Sequence, residues 1–237
     1  MIQNILTNLI LIGGGVMRND ETAHIDKWLV KRIKKRSKTP KVLFIPAASS
    51  DLEEYVTDFT TRYTHYGVAV DMLFLIKKSP SLSVISQKIN NSDLIYFGGG
   101  DPLLLLQTFK KYSLENICKK ALKKGIIICG LSAGAAIWGN EFFNAKWNGS
   151  RFVNYKLERG LGWLEEMIWT HFTNETIRNS QIIRLLNPDS QILAIGDRVA
   201  IYWDKSGQIK AFKITPPNLG LLGKFVEGKL SFQQIGV

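Results

Sequence analysis

Short apolar runs, most of which end at glycine or proline, alternate with helix-type segments between residues 8 and 134. Such runs are typical of parallel strands that are buried on both faces. The runs are NLILIGGG (8–15), KVLFIPAASS (41–50), VAVDMLFLI (68–76), DLIYFGGGDP (93–102) and IIICGLSAG (126–134). Because strands and helices alternate, the sequence predicts an α/β fold, a three-layer α/β/α sandwich with a mainly parallel sheet. After residue 134 the pattern is less regular and indicates a more antiparallel edge.

Helix-start residues precede the segments between these runs. Asp20 is the predicted cap of the first helix, and Asp51 is the predicted cap of a helix that Gly67 ends. Asp101 followed by Pro102 is a strong start signal, because Asp accepts the unpaired amides and Pro fits the first helical position.

The chain has 237 residues, of which 45% are hydrophobic, and no Pro/Ser/Gly-rich linker divides it. We therefore expect one domain, residues 1–237. The net charge of +11 is basic, but the basic residues are scattered or lie on one face of a predicted helix in KWLVKRIKKRSK (27–38). This pattern favours neither a nucleic-acid nor a membrane partner.

Cys118 and Cys129 stand in apolar surroundings without metal-ligand spacing, which predicts small core residues in a reducing compartment. The first residues lack a basic start and a cleavage site, and no run approaches the roughly 20 apolar residues of a bilayer span. We expect a cytoplasmic protein.

The stretch IIICGLSAGAAIWG (126–139) contains the G-x-S-x-G pattern around Ser132. Ser132 is either a helix cap or a nucleophile held on a sharp strand-to-helix turn. Small neighbours let strand and helix approach closely there. As a nucleophile, Ser132 would have the Ala133 amide beside it as an oxyanion donor, and Gly99 or Gly100 as the source of a second.

A serine nucleophile needs a base, and the chain offers His24, His65 and His171. His171 is favoured, because it stands at a strand-to-loop transition after the serine. The orienting acid stays open: Glu141 and Asp197 are the candidates, and spacing does not choose between them. The segment GGGVMRN (13–19) matches neither a dinucleotide nor a phosphate-loop motif.

Several motifs together resemble the dipeptidase E and cyanophycinase family. They are FIPAASS, DLIYFGGGDPLLLL, IIICGLSAGAAIW, RGLGWL, WTHF and IGDRVAIYW, and the likeness extends from about residue 8 to 205. The resemblance implies a serine peptidase on a class I glutamine-amidotransferase-like sandwich, without metal or cofactor. It implies Ser132 as nucleophile, His171 as base, and Gly99 or Gly100 with Ala133 as the oxyanion hole. It also implies peptides with an aspartyl residue as substrates, and the chain length favours the dipeptidase E side.

Two positions depart from this family. Asp101 replaces the usual Asn after the triple glycine, and EFFNAKWNGS (141–150) lacks the Asp that dipeptidase E carries after the nucleophile. A bidentate arginine would suit an aspartyl carboxylate, and Arg18, Arg151 or Arg178 could supply it. We take Asp101 and Arg178 as the candidate substrate-binding residues.

Other functions remain open at this stage. The departures motivate a catalytically inactive protein that binds a peptide or small molecule on the same fold. An esterase of the α/β-hydrolase type is disfavoured, because no histidine follows His171. The expected partner is a small peptide, and the chain is expected to be a monomer or a homodimer.

Overall fold

The computed structural model describes residues 6–173, 180–212, 220–226 and 229–236. In these residues the strands are β1 (Leu9–Ile12), β2 (Lys41–Ile45), β3 (Ala69–Met72), β4 (Leu94–Phe97), β5 (Ile127–Leu131), β6 (Glu141–Trp147), β7 (Phe152–Arg159), β8 (Met167–Thr170), β9 (Gln191–Ile195), β10 (Ala200–Trp203), β11 (Ile209–Phe212), β12 (Gly220–Val226) and β13 (Lys229–Gln234). The α-helices are α1 (Ala23–Lys34), α2 (Glu53–His65), α3 (Leu82–Asn90), α4 (Pro102–Lys111), α5 (Leu114–Lys123), α6 (Ala133–Ala136) and α7 (Ser180–Ile183). Short 3₁₀ turns lie at Met17–Asn19 and Ala47–Ser49.

The first sheet has the strand order β11-β10-β1-β5-β4-β2-β3. Strands β1 to β5 pair in parallel, and β10 and β11 add an antiparallel edge beside β1. Alternate strand residues face opposite ways, so Phe44 packs with α1 and α2 while Leu43 packs with α3, α4 and α5. The predicted three-layer α/β/α arrangement is confirmed.

A second sheet, with the order β13-β12-β9-β8-β6-β7, replaces the single antiparallel edge that the sequence predicts. It is mixed, since β8 lies parallel to both β6 and β9 while the other pairs are antiparallel. Ile168 and Leu193 of this sheet belong to the same buried cluster as Leu43 of the first sheet. The irregular pattern after residue 134 therefore reflects strands that are divided between two sheets: β10 and β11 join the first sheet, and the others form the second.

Asp101 caps α4 as predicted: its carboxylate accepts the N–H groups of Leu103 and Leu104 at 2.8 and 3.2 Å. The predicted caps Asp20 and Asp51 are wrong. Both residues have a positive φ, and the helices begin after Thr22 and after Leu52.

Tertiary contacts take both of these carboxylates instead. Asp20 is an ion partner of Arg62. The Asp51 carboxylate accepts the N–H groups of Ile76 and Lys77 at 2.8 and 2.9 Å.

A buried polar network joins α1 to α2. The Asp26 carboxylate accepts hydrogen bonds from Thr22 (2.9 Å), Arg62 (3.0 Å) and Tyr63 (3.0 Å). Arg62 also donates to the Met17 carbonyl. The network therefore fixes the 3₁₀ turn at Met17–Asn19 against α2. Burial raises the pKa of Asp26, against the lowering effect of its hydrogen-bonding partners.

No helix in the described residues is long and apolar enough to cross a bilayer.

Substituting Arg62→Met tests the energetic weight of this network. Losing the guanidinium leaves Asp26 as a buried carboxylate without its ion partner, so we expect a loss of about 3 kcal/mol in the free energy of unfolding. The pKa of Asp26 is raised in the folded state, so between its unfolded and folded pKa values the folded protein holds a proton that the unfolded chain has released. Below the folded-state pKa Asp26 is uncharged and needs no ion partner, so the loss should shrink as the pH falls through that value. Urea unfolding followed over a pH series measures both effects.

Lys77→Met is the matched control. Its ion partner Glu53 is 3.5 Å away and both side chains are exposed, so the cost should stay below about 1 kcal/mol. Equal losses in the two variants would contradict the role given to the network.

Candidate active site

Ser132 stands on a strained turn between β5 and α6. Its φ is 52° and its ψ is −110°, values that a non-glycine residue adopts only where the surrounding structure holds it. A Cβ on Gly130 would lie 1.9 Å from the Gly134 carbonyl oxygen, so strand and helix meet here through bare backbone. The Ser132 side chain makes no capping hydrogen bond. Of the two interpretations of this serine, the structure disfavours the cap.

The Ser132 hydroxyl faces a histidine. Its Oγ lies 2.7 Å from Nε2 of His171, which follows the last residue of β8. The other ring nitrogen, Nδ1, lies 2.7 Å from Oδ1 of Asp197 in the turn between β9 and β10. An ionised carboxylate only accepts, so this contact places a proton on Nδ1 and leaves Nε2 to accept from the serine. We call these three side chains the Ser–His–Asp chain.

The glycine turn after β1 lies against the His–Asp pair. A Cβ on Gly14 would lie 2.0 Å from Asp197 Oδ1 and 2.4 Å from the His171 ring, so any side chain at this position would displace the pair. The Arg198 N–H donates to the Gly14 carbonyl at 2.9 Å, which holds the turn of Asp197 against the glycine turn. This turn, which matches no nucleotide motif, serves as a close backbone approach to the site.

Arg198 and its neighbours hold the Asp197 turn. The Arg198 guanidinium pairs with Glu21 at 3.2 Å. The backbone carbonyl oxygen of Arg198 lies 3.0 Å from His24 Nε2. His24 therefore supports the turn and lies outside the Ser–His–Asp chain. His65, the remaining candidate base, is the last residue of α2 and contacts the Tyr66 ring.

Between the two candidate acids, the structure brings Asp197 to His171. Glu141 lies in β6, where both its carboxylate oxygens accept from the Asn187 side-chain amide at 3.2 Å. The sequence could not choose because the choice depends on how β8 and β9 align.

The candidate substrate-binding residues have separate positions. The Asp101 carboxylate is engaged in capping α4. Arg178 lies outside the described residues. Arg151, in the turn between β6 and β7, donates its backbone N–H to Asn148.

Two of the candidate oxyanion donors share a cavity with Ser132 and His171. Gly100 and Ala133 line this cavity, which has a volume of about 50 Å³. As the first residue of α6, Ala133 has an N–H without an intrahelical acceptor. Gly99 instead donates its N–H to the Tyr55 hydroxyl at 3.4 Å and lines a second cavity that also contains Ser132. The geometry therefore favours the pair Gly100 and Ala133.

We name the two cavities beside Ser132 by their linings. The aromatic cavity is the small one with His171, and it is lined also by Phe143, Phe152 and Tyr155. The Phe152 ring lies 4.7 Å from the His171 ring, centroid to centroid. Sequence reasoning missed Phe152, because only the pairing of β6 with β7 brings it to the site.

The charged cavity, of about 310 Å³, also has Ser132 in its lining and is lined by Arg18, Glu54, Tyr55 and Asp58 among others. Of these, the sequence singled out Arg18 alone. The acidic residues lie in the first turns of α2.

No group of three or more His, Cys, Asp or Glu that could hold a metal ion occurs in residues 6–173, 180–212, 220–226 and 229–236. Cys118 and Cys129 are buried, and burial raises the pKa of both thiols. They are therefore unreactive core residues.

Comparison with known proteins gives consistent matches. The family model "Peptidase family S51" matches residues 9–210. The uncharacterized peptidase YgaJ of Bacillus subtilis is 31% identical over 129 residues, which are 54% of this chain and 54% of that protein. The uncharacterized peptidase PM1590 of Pasteurella multocida is 31% identical over 98 residues, 40% of this chain and 46% of that protein. Over these matches the chain spans about half the length of its curated relatives.

Solved structures agree in fold. A peptidase from an acI-B1 Actinobacterium has a TM-score of 0.70 at 19% identity, covering 97% of this chain and 94% of the other. A putative peptidase E protein from Listeria monocytogenes has a TM-score of 0.63 at 20% identity, covering 88% and 99%. At these identities the likeness shows the fold alone. The family model covers most of the chain and confirms the resemblance to the dipeptidase E family: the chain belongs to peptidase family S51.

Proposed function

We propose that this chain is a serine peptidase that hydrolyses short peptides, with Ser132 as nucleophile, His171 as general base and Asp197 as the orienting acid. The observation that carries the proposal is the continuous hydrogen-bonded chain from Ser132 Oγ through the His171 ring to Asp197, with 2.7 Å at each step. Membership of family S51 supports a serine-type peptidase independently of this geometry.

The proposed reaction proceeds in two halves. Ser132 Oγ attacks the scissile carbonyl carbon while its proton moves to His171 Nε2, and the Gly100 and Ala133 amides stabilise the oxyanion. The C–N bond then breaks, and His171 returns the proton to the leaving amine. Water, deprotonated by His171, attacks the acyl carbon; the C–O bond to Ser132 then breaks, His171 returns the proton to Oγ, and the acid is released. Asp197 holds the imidazole with its proton on Nδ1 throughout.

The finer substrate assignment is a dipeptide with an amino-terminal aspartyl or isoaspartyl residue. It rests on the resemblance to dipeptidase E. The described residues around Ser132 add no separate support, since Arg18 is already paired with Glu54 and Asp58. The departures at Asp101 and in residues 141–150 bear on this assignment and leave the proposed chemistry at Ser132 untouched.

Replacing the nucleophile is the first test. We expect Ser132→Ala to lower the turnover of Asp-Xaa and isoAsp-Xaa dipeptides more than about 10⁴-fold without unfolding the protein. Hydrolysis is followed by release of free amino acid, with Xaa-Xaa dipeptides lacking Asp as controls. Ser83→Ala, an exposed serine on α3, is the matched control variant and should keep full activity. Wild-type protein that is folded yet hydrolyses no peptide would refute the proposal and favour the peptide-binding alternative.

Comparing the two candidate acids tests the role of Asp197. We expect Asp197→Asn to lower kcat by about 10²-fold or more, because an amide at this position no longer fixes the imidazole with its proton on Nδ1. Glu141→Gln should have a far smaller effect, since Glu141 contacts Asn187. Steady-state kinetics of both variants on one substrate decide the question. A larger loss in the Glu141 variant would overturn the assignment.

A further inference from the structure

The charged cavity opens directly on the nucleophile. Ser132 and Gly99 belong to its lining, and Arg18, Glu54 and Asp58 contribute ionisable side chains. Its volume of about 310 Å³ is large enough for part of a peptide. A peptide group bound there would lie next to the scissile carbonyl.

The charges of this cavity have an uneven balance. Arg18 donates through Nε to Asp58 at 3.1 Å and through Nη2 to Glu54 at 3.4 Å. One guanidinium thus faces two carboxylates, which leaves an excess negative charge. A second anion would be repelled by the pair of carboxylates, whereas a cation would be attracted to them.

The aromatic cavity, which Ser132 also lines, has a different chemistry. Apart from His171 itself, its described lining carries no ionisable acid or base of the Asp, Glu, Lys or Arg type. Aromatic rings of Phe143, Phe152 and Tyr155 dominate it. Of these two cavities, as far as the described residues line them, the charged cavity is the one with Asp, Glu or Arg side chains.

Tyr55 adds an available donor to the charged cavity. Its hydroxyl accepts the Gly99 N–H, and no described residue accepts the hydroxyl proton. Burial raises the pKa of Tyr55, so the hydroxyl stays protonated at neutral pH. The carbonyl oxygen of a peptide bound in this cavity would be an acceptor for this proton.

We propose that the charged cavity is a subsite for a cationic nitrogen of the peptide, held by the carboxylates of Glu54 and Asp58, with Arg18 fixing their positions. The inference rests on the proposed function, because it assigns a subsite to the same nucleophile. The cation can be the α-ammonium of the amino-terminal residue or the ammonium of a lysine side chain.

Matched substrates separate these two sources. Asp-Leu and succinyl-leucine differ only in the α-ammonium group, and Lys-Leu and norleucyl-leucine differ only in the side-chain ammonium group. In the wild-type protein we expect kcat/KM to be about tenfold or more higher for the member of one pair that carries the ammonium. The pair that shows the preference identifies the source.

The double variant Glu54→Gln/Asp58→Asn tests the assignment to these carboxylates. It should lose most of that preference, mainly through a higher KM for the ammonium-bearing substrate. Glu53→Gln is the matched control on the same helix, because Glu53 pairs with Lys77 and does not line the cavity; it should keep the preference. A preference that is equal in the wild-type and double-variant proteins, or absent from both pairs, would overturn the proposal.

Calorimetric binding to the Ser132→Ala protein keeps this test independent of catalysis. The affinities for the same four compounds are measured with and without the Glu54→Gln/Asp58→Asn changes. An ammonium preference that these changes remove supports the subsite, even where the wild-type protein hydrolyses nothing and the proposed function fails. Binding that shows no such preference overturns the subsite, whatever the protein hydrolyses.

Discussion

The end of β1 holds the three turns that carry the Ser–His–Asp chain. Three consecutive carbonyl groups there accept the Ser132 N–H at Ile12 (2.9 Å), the His171 N–H at Gly13 (3.2 Å) and the Arg198 N–H at Gly14 (2.9 Å). Each turn comes from a different part of the chain, after β5, after β8 and after β9. Because backbone hydrogen bonds fix them to one strand end, the spacing of the three side chains is set by the main chain and depends little on side-chain packing.

This anchoring matters because all three donors have unfavourable backbone conformations. Ser132, His171 and Arg198 have φ values of 52°, 53° and 64°, in a region that costs a non-glycine residue on the order of 1 kcal/mol or more. Backbone hydrogen bonds and packing offset that cost, so the turns are held by their tertiary contacts. The glycine at position 14 completes the arrangement, since any side chain there would occupy the space of the His–Asp pair.

Ser132 lines two cavities of different character, and this difference bears on how a bound peptide would be oriented. Aromatic rings beside His171 suit an uncharged group, while the carboxylates on α2 suit a cation. The buried network of Asp26 and Arg62 also stabilises the wall of the charged cavity. Arg62 donates to the carbonyl of Met17, and Met17 lines that cavity beside Arg18. The Asp26–Arg62 ion pair and the candidate subsite in the charged cavity thus both involve the 3₁₀ turn at Met17–Asn19.

The sequence by itself determined the sandwich, the strand-to-helix turn at Ser132, the preference for His171 and the cap at Asp101, because each depends on local periodicity or on a few neighbouring residues. It could not tell which of Glu141 and Asp197 contacts His171, nor which of Gly99 and Gly100 lines the cavity that contains His171, nor find Phe152 and the acidic side chains of α2. It also misassigned Asp20 and Asp51 as caps, since their carboxylates bind partners far away in the chain. These outcomes depend on strand alignment in two sheets and on contacts between α1 and α2. Only the tertiary structure decides them, because the competing residues are chemically alike and differ only in where the fold places them.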